Sequence, residues 1–231
     1  MPEGKQVQAM FSGIAGRYDL LNHVLSGGID FYWWWRMARA SGAARGKRML
    51  DVAAGTGDSS VALARHGAEV VSTDFTHAML KLGPAKFRKK GLLTLIWASA
   101  DADAQALPFK ESTFDGITIC YGIRNVERRE RAYAEFMRVL KPGGQLTILE
   151  FSTPVIPGFR GLYTWYSLKV LPRIGAMISG DRSAYTYLPE SIREFPDQSH
   201  LASELEAAGY RAVHWTNLTG GIVALHVGIK P

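Results

Sequence analysis

Between residues 47 and 151, short apolar runs alternate with longer amphipathic ones, and that rhythm leaves few folds open to the chain. Strands are expected over 47–52, 69–73, 94–98, 116–120 and 145–151, with helices over 59–66, 78–89 and 129–140. Strands joined by helical crossovers predict an α/β fold, a Rossmann-like, doubly wound and mostly parallel sheet. The stretch Arg138-Val139-Leu140-Lys141-Pro142-Gly143-Gly144 reads as a helix end, a proline that stops it and a glycine turn into the last of these strands.

Ahead of this unit, Val7, Met10, Phe11, Ile14, Tyr18, Leu21 and Leu25 recur near helical spacing, so one or two helices are expected over 7–25. Ser26-Gly27-Gly28 breaks the pattern, and Asp30 is placed to cap a further helix that carries Trp33, Trp34 and Trp35 in succession. Successive helical side chains point in different directions, so at least one tryptophan faces something other than the sheet. These segments make an N-terminal helical cap, 1–46, on a domain spanning 47–231. Residues 155–180 interrupt the alternation with aromatic and aliphatic side chains punctuated by Arg160, Lys169 and Arg173, which predicts an amphipathic helical insertion, either a lid folded over the domain or a segment lying at a membrane interface. A helix over 197–208 and strands over 212–217 and 222–229, turning at Thr219-Gly220-Gly221, complete the sheet with an antiparallel hairpin.

The tightest local constraint is Met49-Leu50-Asp51-Val52-Ala53-Ala54-Gly55-Thr56-Gly57-Asp58. Its strand delivers Asp51 to the carboxyl end of the sheet, and its small residues let the backbone of Gly55, Thr56 and Gly57 approach a ligand. A dinucleotide fingerprint needs G-x-G-x-x-G, but the frame from Gly55 reaches Ser60. A carboxylate at Asp51 repels a pyrophosphate and suits a ligand with an amino group and a sulfonium, S-adenosylmethionine (SAM). Asp74 follows about twenty residues beyond the turn, where a carboxylate accepts from the ribose hydroxyls of NAD and SAM alike. Its other reading is a helix N-cap, a role Thr76 also fits. Asp103 suits an adenine amine and the Ala104 N–H a ring nitrogen, although a solvated loop aspartate is equally consistent. Arg124 and Asn125, after strand four, point into or across the site; arginine stays protonated, so Arg124 stabilises an oxyanion or holds a water. His23 falls near the mouth and His77 on the loop after Asp74.

A formal charge of +6 and a pI near 9.5, without a dense basic run, disfavour a nucleic-acid partner and leave an ordinary cationic surface or an anionic membrane. Cys120 is the single cysteine, so no intrachain disulfide forms; no Cys/His spacing suits a metal, and a reducing cytoplasm fits. The first eight residues lack a signal-peptide core and no apolar run spans a bilayer, which predicts peripheral rather than integral membrane contact.

From Met10 to Lys230 the chain resembles class I SAM-dependent methyltransferases, specifically the ubiquinone/menaquinone biosynthesis C-methyltransferase family. The specific stretches are Tyr18-Asp19-Leu20-Leu21-Asn22, Gly122-Ile123-Arg124-Asn125 and Tyr185-Thr186-Tyr187-Leu188-Pro189-Glu190-Ser191-Ile192; the glycine turn and Leu107-Pro108-Phe109 are shared more widely. The resemblance implies cofactor contacts at Thr56, Asp74, Asp103, Ala104 and Cys120, with Phe75 beside them. A serine is usual at position 120. It also implies methyl transfer to a ring carbon of a polyprenyl quinol, most simply demethylmenaquinol to menaquinol, with another small aromatic acceptor as the alternative. A free phenol has a pKa of about 10, so such a site must favour phenolate. That task is expected of Arg124, with Asn125 holding geometry and Tyr18, Asn22 and Tyr185 contacting the quinol. The prenyl tail gives the insertion and the N-terminal helices a purpose, an apolar path opening toward an anionic membrane face. Benzoquinol against naphthoquinol, tail length and homo-oligomer formation are left open.

Overall fold

A computed structural model describes residues 4–170 and 183–231. Seven strands form one sheet: β1 Arg48–Val52, β2 Glu69–Asp74, β3 Ile96–Asp101, β4 Phe114–Cys120, β5 Leu140–Phe151, β6 Arg211–Leu218 and β7 Val223–Ile229. Their order is β3-β2-β1-β4-β5-β7-β6. Pairing is parallel from β3 through β5, while β7 runs antiparallel to both β5 and β6. The expected doubly wound sheet with a terminal antiparallel hairpin is therefore the fold. Between β1 and β4 the winding reverses, and that reversal opens a crevice at the carboxyl ends of the strands.

The described helices are α1 Gly4–Ile14, α2 Tyr18–Ser26, α3 Asp30–Ala40, α4 Asp58–Ala64, α5 His77–Leu80, α6 Gly83–Lys89, α7 Arg129–Val139, α8 Pro157–Trp165, α9 Ser183–Glu194 and α10 Gln198–Ala207. Alternate residues of the central strands feed two cores. Leu50, Ile117 and Ile148 pack with Tyr133, Phe136 and Leu205, whereas Met49, Val70 and Leu149 pack with Trp33, Met37, Leu63 and Phe87. Burial on both faces is why these strands read as near-continuous apolar runs.

Four expectations need correction. The helix expected over 78–89 is two, α5 and α6, with Pro84 in the first turn of the second. Strand β5 is paired from Leu140: Phe114 faces Leu140 but Gly116 faces Gln145, so Lys141 to Gly144 bulge from the ladder. Asp30 is the first residue of α3 rather than its N-cap, which is Ile29; the Asp30 carboxylate accepts from the Phe31 N–H at 3.0 Å and meets His23. Helix α9 has no counterpart among the expected elements; it carries Pro189 inside it, a residue that usually breaks helices. The insertion is helical over α8 and continues as a wider turn through Tyr166–Val170; its remainder, with Arg173, lies outside the described residues. Of the three tryptophans, Trp33 and Trp34 are buried while Trp35 faces outward beneath Arg39, whose guanidinium carbon is 4.9 Å from the ring centre.

Candidate active site

Two adjoining cavities lie at the carboxyl edge of the sheet. The first, about 510 Å³, is lined by Gly55, Asp74, Phe75, Asp103, Ala104, Cys120 and Asn125, among others. The Gly55 N–H donates to Asp74 Oδ2 at 2.8 Å and the Thr76 N–H to Oδ1 at 2.7 Å. A carboxylate offers about four acceptor sites, so these two bonds fix Asp74 while leaving it able to accept from ribose hydroxyls. Burial raises its pKa against those same bonds. Asp103 accepts from the Gln105 N–H at 2.9 Å, which shapes the loop around the buried Ala104. Asp74, Asp103 and Glu127 put three carboxylates on the lining, and the described lining residues include no lysine, arginine or histidine. This charge pattern rejects a pyrophosphate and accommodates the cationic sulfonium of SAM.

Three residues expected at the cofactor do other work. Asp51 is fully buried beneath the turn, where its Oδ2 accepts from Ser59 Oγ at 2.6 Å and Ser60 Oγ at 2.5 Å, and its Oδ1 from Thr118 Oγ1 at 3.0 Å. The hydroxyls at the start of α4 and on β4 draw the carboxylate under the turn, so it does not line the cavity. Burial pushes its carboxyl up to about 6, opposed by the three hydroxyls. Thr56 donates to Asp19 Oδ1 at 2.5 Å and accepts from Lys86 Nζ at 3.0 Å, which turns its side chain toward α2 and α6. Gly57, at φ +89°, lies against the Phe87 ring, and a Cβ there would overlap it. That glycine answers to packing and backbone conformation rather than to ligand approach.

The second cavity, about 620 Å³, is walled mostly by apolar and aromatic side chains from α1, α2, α3, α8, α9 and the sheet edge. Leu162 and Trp165, 61% and 58% exposed, line it from α8, so its wall continues onto the surface. Tyr18 and Asn22 also line it. Phe11, Tyr18 and Tyr121 line both cavities and mark where they meet. Arg124 faces the second cavity and Asn125 the first, so the two residues lie on either side of that junction.

Arg124 is buried and already paired: Nη1 donates to Glu150 Oε1 at 2.6 Å and to the Tyr121 carbonyl at 2.5 Å, and its backbone N–H to Glu150 Oε2 at 3.3 Å. Tyr121, at φ +56°, occupies the left-handed region, a costly conformation for an aromatic residue. Burial raises the Glu150 pKa, against the Arg124 charge that lowers it. Sequence reasoning missed Glu150, although a lone acid in the apolar run Ile148-Leu149-Glu150-Phe151 is the signal of a paired buried charge. It also missed Tyr187, whose hydroxyl donates to Asn125 Oδ1 at 2.7 Å. Tyr185 stands two residues earlier on α9, and its side chain lies outside the described ones. The Tyr18 phenol is raised by burial, with an Asn22 hydrogen bond and the Arg124 charge opposing.

Asp19, from the specific Tyr-Asp-x-x-Asn stretch, makes a further clamp. Lys86 Nζ lies 2.8 Å from both Asp19 Oδ2 and Asp58 Oδ2, tying α2 to α6 and to the start of α4. Gln8 Nε2 adds a bond to the Phe75 carbonyl at 2.6 Å. Among the described residues there is no cluster of His, Cys, Asp and Glu arranged to hold a metal, and no helix long and apolar enough to cross a membrane.

The chain is 45% identical over 227 residues to the ubiquinone/menaquinone biosynthesis C-methyltransferase UbiE of Idiomarina loihiensis, covering 97% of this chain and 90% of that protein. It is 46% identical over 226 residues to the demethylmenaquinone methyltransferase of Clavibacter sepedonicus, covering 98% and 91%. In structure it resembles the [4+2]-cyclase SpnF with a TM-score of 0.74 at 19% identity, covering 100% and 97% of the two chains. A SAM-dependent methyltransferase from Aquifex aeolicus shares the fold with a TM-score of 0.62 at 19% identity, covering 84% and 87%. Residues 2–230 match the ubiE/COQ5 methyltransferase family, and the chain belongs to it.

Proposed function

We propose that this chain transfers a methyl group from SAM to a ring carbon of a polyprenyl quinol, with demethylmenaquinol as acceptor and menaquinol as product. The observation that carries this reading is the pair of joined cavities: an acidic one for a cationic nucleoside, and an apolar one whose wall runs to the surface through Leu162 and Trp165. The printed names of the relatives, menaquinone and ubiquinone methyltransferases, support the same acceptor class. SAM supplies an electrophilic methyl group on a positively charged sulfur. Asp74, Phe75, Asp103, Ala104, Cys120 and the Gly55 backbone would hold it.

The chain's own contribution is to activate and position the acceptor. Arg124, fixed by Glu150 and the Tyr121 carbonyl, is a positive pole on the wall of the second cavity and stabilises the phenolate oxygen next to the reacting carbon. Asn125, held by Tyr187, keeps the loop at the junction in place. Tyr18 and Asn22 contact the quinol ring. Residues 1–46 act as a cap and α8 as the near part of a lid, and together they exclude water.

The test is incubation of the purified protein with SAM and a short-chain demethylmenaquinol, followed by NMR of the product. A new methyl on the ring carbon is expected. Asp74→Ala is expected to weaken SAM binding by about tenfold. Arg124→Ala is expected to lower kcat by about a hundredfold at unchanged SAM affinity. Wild-type turnover in Arg124→Ala would refute its part, and SAM binding without a methylated quinol would redirect the search to another aromatic acceptor. The basic surface and the exposed rim also support peripheral contact with an anionic membrane. Sedimentation with vesicles tests this, and equal binding to neutral and anionic vesicles would refute it.

A further inference from the structure

Methylation of a ring carbon releases a proton, and the residues assigned above give it no destination; this inference rests on that reading. Arginine is a poor acceptor because it stays protonated. Asp30 and Arg124 are the charged groups among the described residues that line the second cavity, so Asp30 is the carboxylate there. It is buried at the start of α3; its Oδ1 accepts from the Phe31 N–H at 3.0 Å, and its Oδ2 lies 2.5 Å from His23 Nδ1. The His23 ring stacks on Phe31 with centroids 4.5 Å apart and meets Trp34 edge-on at 5.9 Å, while 30% of its side chain stays exposed. The pair thus links the cavity wall to solvent, with a carboxylate on the inside and an imidazole reaching out. The bond to Phe31 serves the start of α3, and the contact with His23 adds a second group able to carry a proton. The negative charge of Asp30 is also among the causes that raise the phenol of Tyr121, behind burial and the nearer Cys120 and Glu150, which places Asp30 within electrostatic reach of the junction.

We propose that Asp30 takes the proton that leaves the acceptor ring and that His23 passes it to solvent. The methyl–carbon bond forms as the methyl–sulfur bond breaks, with that electron pair staying on sulfur. The ring carbon then holds both the methyl group and its original hydrogen. Its C–H bond breaks, the electron pair restores the aromatic ring, and the proton moves to a carboxylate oxygen of Asp30. From there a proton passes to Nδ1 of His23 as Nε2 releases one to water. No oxidant or reductant is consumed.

A group that removes a proton from that carbon also exchanges it, so the test omits the cofactor. A short-chain demethylmenaquinol is incubated with the protein in D₂O, and deuterium at the acceptor carbon is read by NMR. The wild type is expected to accelerate exchange over buffer. Asp30→Asn and His23→Asn are each expected to reduce that acceleration by about a hundredfold. Asp30→Glu is expected to recover part of it, as are formate added to Asp30→Ala and imidazole added to His23→Ala. Quenching of tryptophan fluorescence by the quinol, read through Trp33 and Trp34 in the cavity wall, is expected to match wild type in Asp30→Asn, which separates proton transfer from binding. Wild-type exchange retained in Asp30→Asn, or no exchange by a wild type that methylates quinol, overturns the proton route and leaves quinol methylation standing. A quinol that is neither bound nor methylated overturns both.

Discussion

Asp51 lies fully buried beneath the glycine turn, held by the hydroxyls of Ser59, Ser60 and Thr118. Burial outweighs the three hydroxyl bonds and pushes its carboxyl up to about 6, against about 3.9 for a free aspartate. The folded state therefore holds an extra proton between those pH values. The resulting stabilisation is complete below about pH 4 and is lost as pH rises through 6, roughly 3 kcal/mol in all. Asp51→Asn removes the titration, so its urea midpoint should change little over the interval where the wild type falls. Gly57→Ala should destabilise by about 3 kcal/mol, from its positive φ and from overlap with Phe87, as thermal unfolding would show. At Cys120, burial holds the thiol well above its ordinary pKa, so it meets a ligand as a neutral and weak donor. Cys120→Ser should tighten SAM by about fivefold in calorimetry, the value of one better hydrogen bond. The positions of Asp74, Asp103 and Arg124 on the cavity walls were legible from their places after strands. Glu150 showed only as a lone acid in an apolar run, and its partner, an arginine 26 residues away in the chain, was not legible.

Among the elements, the clamp of Asp19, Thr56, Lys86 and Asp58 joins three segments, α2, α6 and the turn into α4, that share no sheet bond. Lys86→Met removes its only cation and leaves two partly buried carboxylates facing each other. Hydrogen exchange in Tyr18–Ser26 should then rise about tenfold for each 1.4 kcal/mol of lost closure, while the amides of β1 and β4 stay protected. Legibility follows the kind of element. Strands β1, β4 and β5 were visible because burial on both faces leaves a near-continuous apolar run. The break between α5 and α6 was missed because Lys81 and Leu82 continue the helical pattern. Helix α9 was hidden by Pro189, a residue that usually ends helices. The bulge after Leu140 is a matter of register, which only the partner strand reveals.

At the scale of the molecule, the two cavities differ in what should disturb them. Leu162→Ser with Trp165→Ser alters the apolar wall alone, so quinol affinity should fall while SAM affinity, measured by calorimetry, stays at its wild-type value. Phe11, Tyr18 and Tyr121 behave differently, since each contributes to both cavities. A wall held in common makes the two occupants thermodynamic partners. Whatever each gains by fixing those three rings, the other finds already fixed. SAM should then tighten the quinol by some factor, and the quinol should tighten SAM by that same factor, because a coupling free energy has no direction. Tyr18→Ala should reduce both factors together. The product lacking its methyl group, S-adenosylhomocysteine, lacks the positive sulfur as well, so any difference between its factor and that of SAM measures how much of the conversation between the sites is carried by charge and how much by shape.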